Sequence, residues 1–539
     1  MSRRRAIVAA AAAAVLALGA GCSVDSPDGR SGGAATPSLV PASQRWWDDR
    51  TFYEVFVRSF QDSDGDGAGD LRGLIDRLDE LNDGDPGTTA DLGVTGLWLM
   101  PIFPSPSYHG YDVTDYRSVN PDYGTTEDLR ALLAAAHQRG IAVILDLPLN
   151  HTSTEHPWFQ ASRSGQGQYA DWYVWRDGTS DETGPWGQQV WHPDGNRSYL
   201  GVFWEGMPDL DLRSEAVTAE LEDVARQWLE LGVDGFRLDG AQHLVEQDGE
   251  YANTQANKDW LTGFNAAVKQ VDPDALLVGE IWAPSMTSAS YVPGQVDLAF
   301  DFTTADAASS GAASGLMDSL LDSTETNLTN YPDWQVGVFT DNHDRDRLAS
   351  LAADDPDRLR MIATWLLTQP GTPFLYYGQE IGLPGQKPDE QIRTPLPWTG
   401  RDPAGDFTSG QPWQPLADGW QARNVAAQSA DPRSLLSHYR RLLAARAATP
   451  ALRTGSFTRL DVSASDGFAY LRTLDGQRAL VVGNASDQPL ADLAVTLPDA
   501  GTGAWTSLLG QDVGQPEGTI YVPVGTLAPW DTLVLVQGS

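Results

Sequence analysis

Arg237 and Asp239 stand two residues apart in the stretch GFRLDGAQH, inside an otherwise apolar run. On a β-strand alternate residues share a face, so these two side chains point one way while Phe236 and Leu238 point the other. One reading of such a pair is a structural ion pair. The other is a carboxylate kept ionised by the guanidinium beside it, as a carboxylate nucleophile requires. Other apolar runs close in the same manner: ILDLPLNH with Asp146, Asn150 and His151, LLVGEIW with Glu280, and VFTDNHD with His343 and Asp344. Carboxylates brought together can divide the work of nucleophile and general acid, provided their surroundings push their pKa values apart.

Whether these groups meet depends on the elements that carry them. The runs FYEVFVRSF, GLWLM, IAVILD, DGFRLD, LLVGE, DLAFDF, QVGVFT and PFLYYG are eight strand candidates. Helical periodicity falls between most of them, over Thr126 to Arg139, Ser214 to Leu231, Asn257 to Val271 and Asp354 to Thr368. Strands alternating with helices imply a parallel sheet, and eight such units an α/β fold closed as a (β/α)8 barrel. A doubly wound open sheet is the alternative, but no Gly-rich dinucleotide loop follows the first strand. Barrel chemistry sits at the C-terminal strand ends, which is where these acids and histidines fall.

Two regions break the alternation. Residues 151–205 are rich in Trp, Gly, Asp and Pro with no clear helix, and read as a small domain inserted after the third strand. The barrel is then expected over 43–150 and 206–450. From 455 to 539 short runs such as FAYLRTL, RALVVGNA and DTLVLVQ alternate with turn residues, the pattern of a C-terminal antiparallel β-sandwich.

With 36 Lys and Arg against 73 Asp and Glu, the net charge of −37 disfavours nucleic acid and anionic lipid surfaces as partners. Arg3, Arg4 and Arg5 precede an apolar run from Ala6 to Ala20, so 1–22 reads as an export signal. LGAGC resembles a bacterial lipoprotein signal in which Cys22 becomes lipid-modified, with Gly19 and Leu18 one place out of register; an ordinary cleaved secretory peptide is the alternative. The Ser-, Gly-, Pro- and Ala-rich residues 23–42 read as a flexible tether. The expectation is an exported monomer that touches a membrane only through its lipid.

DSDGDGAGD places Asp62, Asp64, Asp66 and Asp70 in a glycine-rich loop after the first strand. Carboxylates so close repel unless a hard cation sits among them, and oxygen ligands at this spacing suit Ca2+. The loop imitates the first nine positions of an EF-hand, but Gly73 stands where the bidentate Glu belongs. A solvated acidic turn is the bland alternative.

DLPLNHTS, GFRLDGAQH, GEIW and FTDNHD, in that order, resemble the four signature regions of the α-amylase family of glycoside hydrolases. GVTGLWLMPIFPS, MPDLDL and GTPFLYYGQEIG extend the likeness, which lies between the oligo-1,6-glucosidase and neopullulanase branches. The resemblance implies Asp239 as nucleophile, Glu280 as general acid/base and Asp344 as transition-state stabiliser. It implies Tyr111, Asp146, His151, Arg237 and His343 as residues that bind or orient the sugar. It makes the acidic loop a calcium site with the Ala68 carbonyl as a further ligand, and offers Asn150, Asp209 and the His243 carbonyl as a second one.

The implied substrate is an α-glucan such as starch or maltodextrin. Exo-acting α-glucosidases of the family usually carry DNGYD where this chain reads YHGYD, so Tyr108 replaces the capping acid and points to internal cleavage. Gly240 after the nucleophile, where α-1,6 enzymes often carry Val, points to α-1,4 bonds. An α-glucosidase or neopullulanase-like hydrolase and a transglycosylase such as a trehalose synthase are the alternatives. A non-catalytic sugar-binding protein would have lost the three acids that this chain keeps.

Overall fold

The protein is seen in a computed structural model that describes residues 45–538 except 166, 500, 502 and 511–520. The expected signal, tether and Cys22 lie outside the described residues. Three strands come first, β1 (Phe52–Val55), β2 (Gly96–Leu99) and β3 (Ala142–Leu147). A short antiparallel set follows, β4 (Trp175–Asp177), β5 (Trp191–Asp194) and β6 (Arg197–Leu200). Then come β7 (Gly235–Leu238), β8 (Leu276–Gly279), β9 (Leu298–Phe300), β10 (Val336–Val338) and β11 (Thr372–Tyr376). β1, β2, β3 and β7–β11 pair in parallel and close into a barrel, with β1 hydrogen-bonded to both β2 and β11.

All eight expected strands form, because each is an apolar run covered on both faces. Alternate residues divide cleanly between two cores. Phe52, Trp98, Ile144, Val278, Phe300 and Phe374 fill the barrel interior, whereas Tyr53, Leu97, Leu145, Phe236 and Leu238 pack outward against the helices. Arg237 lies between two outward residues and so points inward, where the register sets it beside Asp146.

The expected helices also form, and their ends have local causes. Thr126–Gln138 starts on a capping box between Thr125 and Asp128, Gln255–Val271 on the Thr254 hydroxyl, and Pro356–Thr368 on the Asp355 carboxylate. Residues 151–205 differ from expectation in one respect: they contain a helix, Pro157–Arg163, beside the three-stranded sheet. At seven residues it is too short to show a period, and its signals are the His156 cap and Pro157 at its first position. Among the described residues no helix is long and apolar enough to cross a membrane.

The C-terminal strands are β12 (Ser456–Leu460), β13 (Gly467–Leu474), β14 (Gln477–Asn484), β15 (Leu490–Thr496), β16 (Thr506–Ser507), β17 (Tyr521–Leu527) and β18 (Thr532–Gln537). They make one sheet in the order β12-β13-β14-β18-β16 and a second from β15 and β17. Leu471, Leu480, Val495, Val522 and Leu535 fill the space between the sheets. The other face of the larger sheet, with Tyr470, Val481 and Val534, belongs to the core of the barrel. β12 and β16 escaped the sequence reading because one is mostly half-exposed and the other has only two residues.

Two guanidiniums are buried where this sheet meets the barrel. Arg472 on β13 donates to the carbonyls of Thr368 at 2.6 Å, Leu452 at 3.1 Å and Gly455 at 2.9 Å. Arg446 donates to Leu452 O at 2.7 Å and to Leu367 and Gly371 O at 3.2 Å. Burial pushes each down to about 9, so both remain cations at neutral pH, held by carbonyl oxygens at helix ends. Arg472→Met should therefore lower the unfolding free energy by roughly 2–4 kcal/mol, since it strips donors from several buried carbonyls at once. Chemical denaturation checks this, with kcat retained in the folded variant because the residue is remote from the cleft.

Candidate active site

Arg237, 1 % exposed, is the centre of the site. Its Nη1 donates to Asp146 Oδ1 at 2.7 Å and to Asp239 Oδ1 at 2.6 Å, and its Nη2 lies 2.8 Å from Glu280 Oε2. One cation thus holds three carboxylates delivered by β3, β7 and β8. The Gly240 N–H adds a 2.8 Å bond to Glu280 Oε2. Asp146 Oδ2 accepts from the Tyr111 hydroxyl at 3.0 Å and from Trp98 Nε1 at 3.2 Å. It is an internal strut rather than a cleft residue.

A second group surrounds Asp344. His343 Nε2 lies 3.0 Å from Asp344 Oδ2 and 2.7 Å from the Tyr111 hydroxyl, and its Nδ1 lies 2.5 Å from Glu54 Oε1. Arg393 donates through Nη2 to Asp344 Oδ1 and to Asp389 Oδ2, both at 3.0 Å, and through Nε to the His343 carbonyl.

The electrostatics separate the acids. Burial raises Asp146 to about 7 despite Arg237, and it raises Asp239 and Glu280 above their ordinary values against the same guanidinium. Burial also works against an ionised Asp344, but His343 and Arg393 outweigh it and hold this carboxyl well below the usual range. The sequence reading expected Arg237 to keep Asp239 ionised, but burial raises this acid against it. The acid held most firmly as an anion is Asp344, because Arg237 is shared three ways while Asp344 faces two cations.

Asp239, Glu280 and Asp344 line one cleft of about 670 Å3, together with Tyr111, His151 and His243. Burial pushes His151 down to about 4, so its ring is neutral at physiological pH. Neither of its nitrogens makes a well-formed hydrogen bond, the Tyr111 backbone approaching without closing one. A ligand hydroxyl would satisfy them. The mouth of the cleft carries Trp186, Trp204 and Trp282, which are 58 %, 47 % and 48 % exposed. Half-exposed indoles around buried acids suit stacking against sugar rings.

Sequence reasoning missed Glu54, Trp98, Asp389, Arg393 and this aromatic rim. Glu54 carried a usable signal, a charged residue inside an apolar strand, as Arg237 did. Arg393 follows a single helical turn, Asp389–Ile392, in the stretch after β11, too short to leave a pattern that marks it.

Two positions that bore on bond type and cutting mode look different in three dimensions. Tyr108 does not line the cleft: its ring stacks on Trp413 at 5.2 Å, with Arg393 5.8 Å from its centroid. The place of the capping acid is filled by an aromatic pair rather than left open. Gly240 has φ +50°, and a Cβ there would meet the Phe203 ring at 2.7 Å. Its small size has this local cause and carries no independent information about linkage.

In the acidic loop, Asp62, Asp64 and Asp70 each bring a carboxylate oxygen within 4.8 Å of the others. Asp62 is fixed by the backbone N–H groups of Asp64, Gly65 and Gly67, and Asp70 by Ser63 and by Gly73, whose helix it caps. Gly67 has φ +101° and a Cβ would lie 2.1 Å from Gln411 O, so the loop closes only with glycine there. An all-oxygen set of this kind fits a hard cation. Asp66 falls outside the group, its Oδ1 being turned to the Ala68 N–H at 2.8 Å. Of the second set, Asn150 donates to Asp209 Oδ1 at 2.9 Å, so these two satisfy each other. The ring of His243 sits against Trp186 and Phe203.

Residues 54–455 match the alpha amylase catalytic domain family. The chain is 38% identical over 449 residues to Alpha-amylase 3 of Dictyoglomus thermophilum, spanning 82% of this chain and 86% of that protein. It is 34% identical over 534 residues to Trehalose synthase/amylase TreS of Mycobacterium tuberculosis, spanning 86% of each. Among solved structures, the alpha-amylase from H. orenii matches with a TM-score of 0.82 at 41% identity, over 91% of this chain and 99% of that one. Trehalulose synthase MutB from Pseudomonas mesoacidophila MX-45 matches with a TM-score of 0.80 at 28% identity, over 92% and 100%. The barrel, the acids at its rim and these matches agree: the chain belongs to the α-amylase family of glycoside hydrolases.

Proposed function

We propose that the protein is an exported, retaining glycoside hydrolase that cleaves internal α-1,4 bonds of starch or maltodextrin. The observation that supports it most is the pair of carboxylates, Asp239 and Glu280, tied to one buried guanidinium and facing a cleft rimmed with exposed tryptophans. Such a rim offers stacking surfaces for sugar rings besides the one at the acids, as a substrate longer than a disaccharide would need.

In this reading Asp239 is the nucleophile. Its Oδ1 holds Arg237, which leaves Oδ2 to attack the anomeric carbon. Glu280 is the general acid. Its Oε2 accepts from Arg237 and Gly240, so the proton of its neutral form belongs on Oε1, from which it passes to the departing glycosidic oxygen. Burial favours that neutral form. Glu280, now a carboxylate, takes a proton from water, whose oxygen displaces Asp239 and completes retention. Asp344, ionised between His343 and Arg393, and the neutral His151 hold the hydroxyls of the reacting ring. Export rests on Arg3 to Arg5 and the apolar run that follows, with Cys22 the site of lipidation. Asp62, Asp64 and Asp70 would hold Ca2+, which would offset most of the charge of these three carboxylates.

A second reading, transfer to a sugar acceptor instead of water, is favoured by the same tryptophan rim, which can seat an acceptor, and by the likeness to TreS.

Asp239→Asn should lower kcat by on the order of 1000-fold or more while leaving the fold intact. Glu280→Gln should fall similarly on maltodextrin yet keep activity on aryl glycosides whose leaving group needs no proton. An Asp239→Asn enzyme with a tenth of wild-type turnover would sink the assignment.

Chelation should lower the melting temperature, because a cation at a hundred times its Kd stabilises by about 2.7 kcal/mol. Asp64→Ala should abolish that sensitivity and Asp66→Ala should leave most of it. Melting curves of the two variants with and without chelator separate the ligand from its neighbour.

On a maltodextrin blocked at its non-reducing end, the enzyme should release maltose and longer products early. Glucose as sole early product, with the blocked chain spared, would make it an α-glucosidase. Trehalose or products longer than the substrate would select the transfer reading.

A further inference from the structure

Glu54 is a buried acid beside the site that this chemistry leaves unused. It lies on β1, 2 % exposed, and shares the inward face with Phe52. Its Oε1 is 2.5 Å from Nδ1 of His343. Proton counting then fixes the state of that ring. Tyr111 donates its hydroxyl proton to Asp146 Oδ2, so toward His343 the phenol oxygen accepts. Asp344 Oδ2, 3.0 Å from the same Nε2, can only accept as well. Nε2 therefore carries a hydrogen, and Nδ1, facing the Glu54 carboxylate, carries another.

We propose that Glu54 is a positioning residue: by accepting the Nδ1 proton it locks His343 as an imidazolium whose Nε2–H points at Asp344, so that Asp344 meets the substrate as an anion. The inference rests on the proposed reading of Asp239, Glu280 and Asp344.

The charges around the ring support it. Acids face it from several elements: Glu54 on β1, Asp146 on β3, Asp239 after β7 and Asp344 beside it. The cations are Arg237, which is committed to other carboxylates, and Arg393, which donates to the His343 carbonyl. Tyr111 stacks on the ring at 5.5 Å and Trp98 meets it edge-on at 5.7 Å, so no water screens it from those sides. Burial opposes the cation, but Asp344 and Glu54 outweigh it and raise His343 to about 10. Without the Glu54 charge the ring loses its proton at a lower pH, with Asp344 left to hold it. Nε2 would then take the Tyr111 hydroxyl as its donor, Asp146 would lose that bond, and Asp344 would keep only Arg393.

Glu54→Gln is the test, since it preserves shape and an acceptor oxygen while removing the charge. Two readouts are needed: the titration of His343 by NMR, assigned with His343→Gln, and the pH profile of kcat. In the wild type the imidazolium should persist through pH 9; in Glu54→Gln its pKa should fall by at least about one unit. The variant's kcat should fall roughly tenfold or more with KM little changed. Its profile should narrow, because Asp344 takes a proton at higher pH and His343 loses one at lower pH. Glu54→Asp, which keeps the charge, should recover part of the loss.

A Glu54 that merely fills space would reduce kcat by one factor at every pH and leave the His343 titration unmoved, and either result overturns the proposal. Should Glu54→Gln fail to fold, a wild-type His343 that titrates near its ordinary value of 6.5 overturns it alone. The titration does not depend on turnover. Wild-type kcat in Asp344→Asn would instead refute the proposed function and leave the charge state of His343 as measured.

Discussion

A guanidinium buried among Asp146, Asp239 and Glu280 is the interaction on which the rest of the site depends. Three carboxylates cannot share a dry cavity as anions, and their mutual repulsion would either protonate them or open the barrel. One planar cation with several donors ties them to fixed positions and still leaves each an oxygen free for other work. Because its charge is divided, none of the three is strongly stabilised as an anion, and burial leaves all of them raised.

The neighbouring half of the site has the opposite balance. Asp344 faces both His343 and Arg393, and its carboxyl is pushed down rather than up. Tyr111 joins the halves, touching Asp146 on one side and His343 on the other. The same side-chain chemistry thus yields acids with different proton affinities a few ångströms apart, and the difference comes from how many cations each one has to itself.

The barrel supplies this arrangement by alternation. Residues on one face of each strand fill the interior, and the other face seats the helices. The charged inward positions Glu54, Asp146 and Arg237 lie toward the C-terminal ends of their strands, where the apolar interior gives way to the cleft. The remaining parts come from outside the regular repeat. Trp186 and Trp204 belong to the segment after β3, and Asp389 and Arg393 to a single helical turn and its cap after β11. The C-terminal sheets, held on by Tyr470, Arg446 and Arg472, cover the barrel away from the cleft.

Much of this was legible in the residues themselves. Strand and helix positions follow from periodicity and end signals, since an apolar run such as AVILDL has few other ways to be buried. The acids at strand ends, and the pairing of Arg237 with Asp239, follow from the two-residue repeat of a strand. The alternation of eight such units dictated the closed sheet. Tertiary structure decided what no local pattern contains. It showed that Arg237 serves three acids rather than one, that Asp344 is the most firmly ionised, and that Asp66 turns away from its neighbours. It also placed Tyr108 on Trp413 and Gly240 against Phe203, two contacts between residues far apart in the chain. The division has one physical reason: hydrogen-bonded elements are specified by their own few residues, whereas proton affinity and the shape of a cleft are set by whatever charges and rings the fold brings within a few ångströms.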